Sequence, residues 1–471
     1  MGLLWNKNQI LLLSIFFLLC SCAVTPLPQV AYVDPDATLH LFLQPMPQET
    51  HQLSLTVARL SARTTDGRDV PLLTGPWIFN PAERIGRQTK LLQQKLPAGE
   101  YIGLSLELSG ATLQTEEDPI NLLIETKVQL IPTNFLITAN QAQTLFLSLN
   151  PERLVTGGYK LTAQFSAWKA QAPLPELKGI VSHPESGMLT IFEKKTPAVI
   201  DVVAIGQEPA GMALDQSGRL IYLALTSENS IVVFDLVRNK IQRKIRLHAG
   251  ARPIKLALSA DGETLISMNP GTNSISIIGT DSLNEQQRIL FSTTPASVFI
   301  GADNRNAYVS LPDINALALI DLQRGKVVAT ANLTDTAVQG VADRSGRQIY
   351  LLAKNSPNLL IVDSDSLAVT NRISIGYGTR CLTLNKNNGL IYVGMQSGEI
   401  AVIDPRIGLP IDSFNADSDI VGIATDRKEN SLFVISGGNN LLTKYDLVSK
   451  KKLAVLELGV VSSDVTVMGE N

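Results

Sequence analysis

The sequence is poor in the residues that build metal and haem centres. Only three of its 471 residues are cysteine and only four are histidine. No C-x-x-C-H motif for covalent haem occurs, and no acidic pair is followed by the twelve-residue loop that binds calcium. The histidines, which share no metal-ligand spacing, are His40, His51, His183 and His248. We therefore expect neither a metal nor another cofactor.

Other absences narrow the function further. The nucleophile motif G-x-S-x-G does not occur, which gives no support to a serine hydrolase. The three tryptophans, Trp5, Trp77 and Trp168, all lie in the first 168 residues, so the rest of the chain lacks the tryptophan platforms that often bind carbohydrate. The net charge of −3 creates no field that attracts nucleic acid. We expect no nucleic-acid partner.

The N-terminus has the pattern of an exported protein. Lys7 precedes the apolar run Ile10–Leu19, which is too short to span a bilayer but fits a signal peptide. The following Leu19-Cys20-Ser21-Cys22 resembles a bacterial lipobox, and Cys22 fits better than Cys20 because a small residue precedes it. The resemblance implies a signal peptide over 1–21 and lipidation of Cys22. The alternative is a soluble secreted protein that is cut nearby.

Lipidation of Cys22 would anchor the mature chain in a membrane, since several acyl chains bind stably where one binds only marginally. Ala23 follows in place of the aspartate that resembles an inner-membrane retention signal, so the outer membrane of the cell envelope is favoured if the cell is Gram-negative. The proline-containing stretch 22–37 is predicted to be a tether. Cys381 then remains as a lone thiol, and the fold must be stable without an intramolecular disulfide.

Residues 38–168 form the first predicted domain. Alternating apolar segments such as Leu53–Val57 and Tyr101–Leu108, separated by turns such as Thr65-Asp66-Gly67, predict about seven to nine short strands. The segment Leu96–Tyr101 (L-P-A-G-E-Y) resembles a turn of immunoglobulin-like and transthyretin-like β-sandwiches. We predict such a sandwich, followed by a proline-rich linker over 169–178.

The remainder, 179–471, is repetitive. One register recurs every 41 to 44 residues and holds Tyr222, Ile266, Tyr308, Tyr350, Tyr392 and Phe433. A second register holds Asp235, Asp321, Asp363, Asp404 and Asp446, which we interpret as turn-forming aspartates rather than calcium ligands. A period of about 40–45 residues with four short strands is the signature of a β-propeller blade. The chain is therefore predicted to be all-β.

The copy that begins at Pro209 (P-A-G-M-A-L-D-Q-S-G-R-L-I-Y) resembles the YVTN-type repeat of bacterial propellers. Some copies depart from it, because the Arg427 copy has K-E-N and the segment at Asp303 lacks the turn glycine. Six copies are complete. Strands within 178–205 and a final strand at Ser462–Val467 would form a seventh blade from both chain ends, which removes an exposed sheet edge. Six blades with loose ends is the alternative.

Candidate site residues are those that interrupt the repeat with polar or reactive groups near the start of each innermost strand. Loops that enter these strands usually rim the central channel, so residues distant in sequence would converge there. The alternative is a solvated rim whose charges compensate one another. The predicted channel-mouth residues are Glu208, Arg252, Lys255, Gln339, Arg380, Cys381, Asp419 and Asp464.

These patterns predict a lipid-anchored, monomeric envelope protein that acts as a non-catalytic binding or scaffolding module. Its expected partners are the membrane, through Cys22, and a protein or small polar ligand at the propeller. An enzyme of lactonase or quinoprotein-dehydrogenase type with its site at the channel mouth is one alternative. A structural cell-surface protein is another.

Overall fold

The structure is a computed structural model that describes residues 36–46, 50, 52–80, 86–115, 118–150, 154–169, 174–417 and 419–469. The predicted signal peptide, Cys22 and nearly all of the predicted tether lie outside these residues. Within the described ranges, no helix is long and apolar enough to cross a membrane.

The N-terminal region contains twelve strands. They are β1 (Asp36–Leu43), β2 (Leu53–Thr64), β3 (Asp69–Phe79), β4 (Thr89–Pro97), β5 (Gly99–Leu113), β6 (Ile120–Asn121), β7 (Leu123–Ile124), β8 (Val128–Ile137), β9 (Ala142–Asn150), β10 (Val155–Thr156), β11 (Lys160–Leu161) and β12 (Gln164–Lys169). The number of strands exceeds the predicted seven to nine because four of them have only two residues. The predicted turn at Gly67 joins β2 to β3, with Gly67 at φ +83°.

Two larger sheets enclose the core of this region. One has the order β12-β9-β1-β4, with β1 and β9 parallel, and the other has the order β3-β2-β5-β6, with β8 also paired to β5. Leu39 and Leu41 of the first sheet share one buried apolar cluster with Leu55 and Leu104 of the second. A small third sheet has the order β10-β11-β7. Its assignment to the immunoglobulin or transthyretin class stays a prediction.

The chain then folds into seven four-stranded antiparallel sheets. After a 3-10 helix at Pro175–Leu177 come β13 (Lys178–His183), β14 (Met188–Glu193), β15 (Ala198–Ala204), β16 (Pro209–Asp215), β17 (Leu220–Leu225), β18 (Ser230–Asp235), β19 (Lys240–Arg246), β20 (Lys255–Leu258), β21 (Thr264–Asn269), β22 (Ser274–Gly279) and β23 (Asn284–Leu290). Short 3-10 helices at Thr226–Glu228, Pro270–Thr272 and Pro312–Ile314 connect the middle strands of three sheets.

The later sheets repeat this pattern. They contain β24 (Ser297–Ile300), β25 (Asn306–Leu311), β26 (Ala316–Asp321), β27 (Lys326–Asn332), β28 (Ala337–Ala342), β29 (Gln348–Ala353), β30 (Asn358–Asp363), β31 (Val369–Ser374), β32 (Thr379–Leu384), β33 (Ile391–Met395), β34 (Glu399–Asp404), β35 (Leu409–Asn415), β36 (Ile420–Asp426), β37 (Ser431–Ser436), β38 (Leu441–Asp446), β39 (Lys452–Glu457) and β40 (Asp464–Val467). Blades 2 to 7 are the consecutive groups of four that start at β16, β20, β24, β28, β32 and β36.

Blade 1 joins the two ends of this region. Its order is β15-β14-β13-β40, and β40 pairs antiparallel with β13 from Ser182↔Asp464 to Gly179↔Val467. The prediction of seven blades closed by a C-terminal strand is therefore confirmed. Lys178, which the sequence assigns to the linker, is the first residue of β13 and is fully buried.

Both repeat registers have the structural roles that the sequence indicates. The register of Tyr222 to Phe433 lies on the second strand of each of blades 2 to 7 and is buried, with exposed fractions of 0 to 4%. The aspartates end the third strand and accept backbone N–H groups of the next turn. For example, Asp235 Oδ1 accepts from Val237 and Arg238, both at 2.8 Å.

The N-terminal region packs against blades 1 and 7. Phe42 and Phe146 share a buried cluster with Phe192 of blade 1 and with Phe433 and Leu456 of blade 7. Burial of such large side chains contributes on the order of 2 kcal/mol each. This surface gives the N-terminal region a fixed place beside the ring.

Polar groups fix the register of this interface. The Gln88 side chain accepts a hydrogen bond from the Val199 N–H at 2.7 Å and donates to the Val199 carbonyl at 3.2 Å. The Val202 N–H donates to Thr144 Oγ1 at 3.0 Å. Edge strand β15 of blade 1 is thereby covered, as an exposed sheet edge requires.

Candidate functional site

The innermost strands form a closed ring around the central channel. They are β40, β16, β20, β24, β28, β32 and β36, and each packs against the next around the circle. We call the end of the channel where these strands begin the upper mouth and the end where they finish the lower mouth. The upper mouth includes Arg252, Arg380 and Asp419, and the lower mouth includes Leu214, Ala302 and Arg344.

Three predicted site residues adopt a left-handed backbone at the upper mouth. Glu208, Arg252 and Asp419 have φ values of 50°, 50° and 49°. This conformation costs roughly 1–2 kcal/mol for a residue with a side chain. Local hydrogen bonds hold it in place, such as the one from Arg252 N–H to Asn229 Oδ1 at 2.9 Å.

The channel itself contains a pair of opposite charges from distant parts of the chain. Asp464 of blade 1 accepts hydrogen bonds from the Met212 and Val465 N–H groups at 3.2 and 2.9 Å. Burial raises the pKa of its carboxyl, while the Lys255 ammonium of blade 3 opposes that shift. Lys255 is exposed and has no hydrogen-bond or ion-pair partner among the described residues, so its charge is available to a ligand.

A second pair lies on the rim. Arg380 Nη2 is 3.2 Å from Asp419 Oδ1, and the two side chains are 45% and 38% exposed. Blades 6 and 7 thus meet through an ion pair at the upper mouth. Exposed pairs of this kind contribute about 0–1 kcal/mol to stability, so both groups remain accessible to a partner at little energetic cost.

Two predicted site residues have structural roles instead. The Gln339 amide donates to the Leu382 carbonyl at 3.3 Å and accepts from the Leu382 N–H at 3.2 Å, which ties blade 5 to blade 6. Cys381 is 7% exposed and belongs to an apolar cluster of blades 6 and 7. Burial raises the pKa of its thiol to about 12, despite the opposing charge of Lys255, so the thiol stays protonated.

Glu208 points toward a different cavity. Its carboxylate accepts a hydrogen bond from Ser227 Oγ and borders a cleft of about 660 Å³ between the N-terminal region and blades 1 and 2. Glu185 and Glu228 also line this cleft, and Glu228 pairs with Lys244. The repeat pattern does not predict this cleft, because it depends on where the N-terminal region docks.

The sequence analysis missed two other features. Tyr377, in the loop that leads into β32, is 72% exposed at the upper mouth between Gly376 and Gly378, which both have positive φ. At the lower mouth, Arg344, Lys386 and Arg427 line a cavity of about 390 Å³. Their spacing of 42 and 41 residues is the repeat length, so a search for polar registers would have found them.

The fold and the channel define the chain as a seven-bladed β-propeller with an N-terminal β-sheet region. No family model matches the sequence. It is 24% identical over 138 residues to the seven-bladed β-propeller protein Rv1057 of Mycobacterium tuberculosis, and the match covers 27% of this chain and 35% of that protein. The match therefore spans about a third of the length of that relative.

Solved structures are similar at the level of the fold. The dihydro-heme d1 dehydrogenase NirN, in complex with DHE, has a TM-score of 0.50 and 15% identity over 64% of this chain and 76% of its own. Hydrazine synthase of Kuenenia stuttgartiensis has a TM-score of 0.49 and 19% identity over 54% of this chain and 88% of its own. At 15% identity the likeness to NirN concerns the fold alone.

Proposed function

We propose that this chain is a lipid-anchored binding or scaffolding protein of the cell envelope, and that its propeller captures a polar ligand or a protein loop at the upper mouth. The observation that carries the proposal is the set of charges that the ring assembles from distant chain segments. Blades 1, 3, 6 and 7 contribute Asp464, Lys255, Arg380 and Asp419. A concave site with a few convergent polar groups is a typical binding site.

The chemistry of these groups suits a ligand with both charges or with several hydrogen-bonding groups. Lys255 offers an exposed ammonium, while Arg380 and Asp419 offer the exposed parts of an ion-paired guanidinium and carboxylate. Exposed Tyr377 adds an aromatic surface beside them. Such a mixture complements a zwitterion or a peptide loop better than a polyanion.

One side chain near the channel, that of Cys381, gives no support to nucleophilic catalysis. The Cys381 thiol is buried and protonated at neutral pH, so it is a poor nucleophile. Within the described residues, no three His, Cys, Asp or Glu side chains are grouped to hold a metal ion.

The proposed membrane anchor depends on lipidation of Cys22. Its replacement by serine removes the thiol that would accept the lipid, so we expect the variant in the soluble fraction of the periplasm or medium. The wild-type chain should fractionate with membranes and incorporate labelled palmitate. Retention of Cys22→Ser in the membrane fraction would show that the lipobox interpretation is wrong.

The upper mouth is tested by affinity capture from detergent-solubilised membranes. The double variant Arg252→Ala/Arg380→Ala should lose the co-purifying partner or ligand, identified by mass spectrometry, while keeping the wild-type circular dichroism spectrum. The matched control Lys240→Ala/Arg243→Ala removes the same charge from the exposed outer strand β19. Undiminished capture by the first variant would exclude the upper mouth as the site.

A further inference from the structure

A second set of charges lies at the lower mouth, in the turn between the first and second strands of each blade. One register position in this turn, one or two residues after the end of the innermost strand, is uncharged in blades 2, 3 and 4 but basic in blades 5, 6 and 7. In chain order the six residues are Gln216, Ala260, Ala302, Arg344, Lys386 and Arg427. Because the three basic copies are consecutive, the ring places their charges side by side around one cavity of about 390 Å³.

These cations are not neutralised by the protein. Arg344 and Lys386 are exposed, and neither has an ion-pair partner among the described residues. The acidic residue of the cavity lining, Asp343, already accepts hydrogen bonds from Ser345 Oγ at 2.6 Å and from the Gln348 N–H at 3.0 Å. Three positive charges against the single carboxylate of Asp343 leave the cavity lining with a net positive charge, which favours the entry of an anion.

Hydrogen bonds hold Arg427 in position to bind an anion. Its Nε donates to Asn387 Oδ1 at 2.7 Å, and its carbonyl accepts from Asn387 Nδ2 at 3.3 Å. This pair of bonds crosses from blade 7 to the turn of blade 6, and it leaves the remaining guanidinium N–H donors free for a ligand. A guanidinium fixed in this way matches the two oxygens of a carboxylate or phosphate.

One side of the cavity is apolar. Leu214, Leu258 and Phe299 line it from blades 2, 3 and 4, on the side opposite the basic residues. The Phe299 ring is fixed by stacking on Tyr308, with centroids 5.3 Å apart. The volume falls in the range of about 300–1,000 Å³ that small-molecule sites occupy.

We propose that the lower mouth is a binding site for a small organic anion, a carboxylate or a phosphate ester. Its acidic group lies between Arg344, Lys386 and Arg427, and its apolar part lies against Leu214, Leu258 and Phe299. The site is at the opposite end of the channel from the upper mouth, so either proposal can be wrong without affecting the other.

The test is calorimetric titration of the full chain with three probes that share one ring system. These are 2-naphthyl phosphate, 2-naphthoate and the neutral 2-naphthamide. We expect at least one anion to bind, at least about tenfold more tightly than the amide, with an affinity that falls as salt screens the charges. The stronger of the two anions identifies the acidic group that the site prefers.

Variants locate the site. Arg344→Ala/Lys386→Ala should weaken binding of the preferred anion by about tenfold or more without lowering the melting temperature, since it removes a repulsion. The control Lys240→Ala/Arg243→Ala, with the same change of net charge, should bind as the wild type does. The proposal is wrong if neither anion binds, if the amide binds equally well, or if the two double variants behave alike.

Discussion

Blade 1 and the other six blades reach the same four-stranded sheet by different routes. Blades 2 to 7 are continuous in sequence, whereas blade 1 combines β13, β14 and β15 with β40 from the far end of the chain. The continuous blades bury the recurring aromatic or isoleucine of the repeat. The buried lysine and histidine side chains of the ring instead lie at its closure, with Lys178, His183 and Lys194 in blade 1 and Lys444 in blade 7.

The buried lysines indicate why blade 1 differs. Lys178 Nζ donates to the Leu236 carbonyl of blade 2, and Lys194 Nζ pairs with Asp426 of blade 7 at 2.7 Å. Lys444 of blade 7 donates to the Lys194 carbonyl at 2.9 Å. A buried ion pair adds little stability compared with apolar packing, but a wrong neighbour would leave the charge unpaired. We infer that these contacts specify the closing blade, where an apolar repeat would accept any of the six other blades as a neighbour.

Among the variants that test how blade 1 differs from the other blades, deletion of 462–471 should lose the most stability. It removes β40, so the edge of β13 and the contact between the first and last blades are both exposed. We expect an insoluble protein or a loss comparable with the whole free energy of unfolding, on the order of 5–15 kcal/mol. Removal of Glu470 and Asn471 alone is the control. A melting temperature of the longer deletion equal to that of the control would contradict closure by β40.

Breaking the ion pair between blades 1 and 7 should have the next largest effect. Lys194 and Asp426 are 2% and 0% exposed at their side chains, and Lys194 Nζ also donates to the Met468 carbonyl. Lys194→Ala leaves a buried carboxylate without its partner, which should cost about 3–5 kcal/mol in urea unfolding.

Two further variants sharpen this measurement. Lys194→Met/Asp426→Leu replaces both charges with apolar groups and should be more stable than the single variant. Arg406→Ala breaks the Asp404 pair, in which the arginine is 70% exposed, and should cost at most about 1 kcal/mol. A similar loss in the buried and exposed pairs would mean that Lys194 does not specify closure.

Acid should weaken the contact between blade 1 and the N-terminal region. Burial, reinforced by the nearby Lys90 charge, lowers the pKa of His40 to about 3, and burial lowers the pKa of His183 to about 4. The unfolded chain binds these protons near pH 6.5 and the folded chain does not. Stability is therefore complete above pH 6.5 and declines as the pH falls toward 4, by roughly 2 kcal/mol per imidazole at pH 5.

Urea unfolding at pH 7 and pH 5 measures this loss. His40→Gln and His183→Gln should each make stability less dependent on pH than it is in the wild type. A pH dependence in both variants equal to that of the wild type would contradict the role of the buried imidazoles.

Loss of the rim ion pair should have the smallest effect on stability. Arg380→Ala removes an exposed partner of Asp419, so we expect a change of about 0–1 kcal/mol in thermal unfolding. A loss above about 2 kcal/mol would mean that the rim charges hold blades 6 and 7 together. In that case a structural role alone would account for these charges.

The repeat made the propeller predictable. Because a fixed period identifies equivalent positions, the sequence alone assigns Tyr222 to the core and Asp235 to a turn, and the structure agrees with both. Closure by β40 was also predictable, because the first blade lacks an innermost strand and the C-terminus has one strand that belongs to no complete blade. The N-terminal region offered no such period, and its docking against Phe192 was not predicted.

The site was less predictable, because a register gives a position but not what a side chain contacts. Lys255 and Gln339 occupy equivalent positions on their strands. Lys255 is exposed in the channel, whereas both ends of the Gln339 amide bond to Leu382 of the next blade. Arg344 and Lys386 were not predicted because they follow the ends of innermost strands, whereas the predicted site residues lie near the beginnings of these strands.

Site-specific photo-cross-linking in cells tests the proposed binding at the upper mouth most directly. A benzoylphenylalanine in place of Tyr377 keeps an aromatic group at an exposed upper-mouth position, and one in place of Val448 is the control on an exposed turn between β38 and β39. We predict that irradiation yields a discrete adduct at position 377, seen by mass spectrometry, that disappears with Arg252→Ala/Arg380→Ala. No adduct at 377, or the same adduct at 377 and 448, would contradict a ligand or partner at the upper mouth.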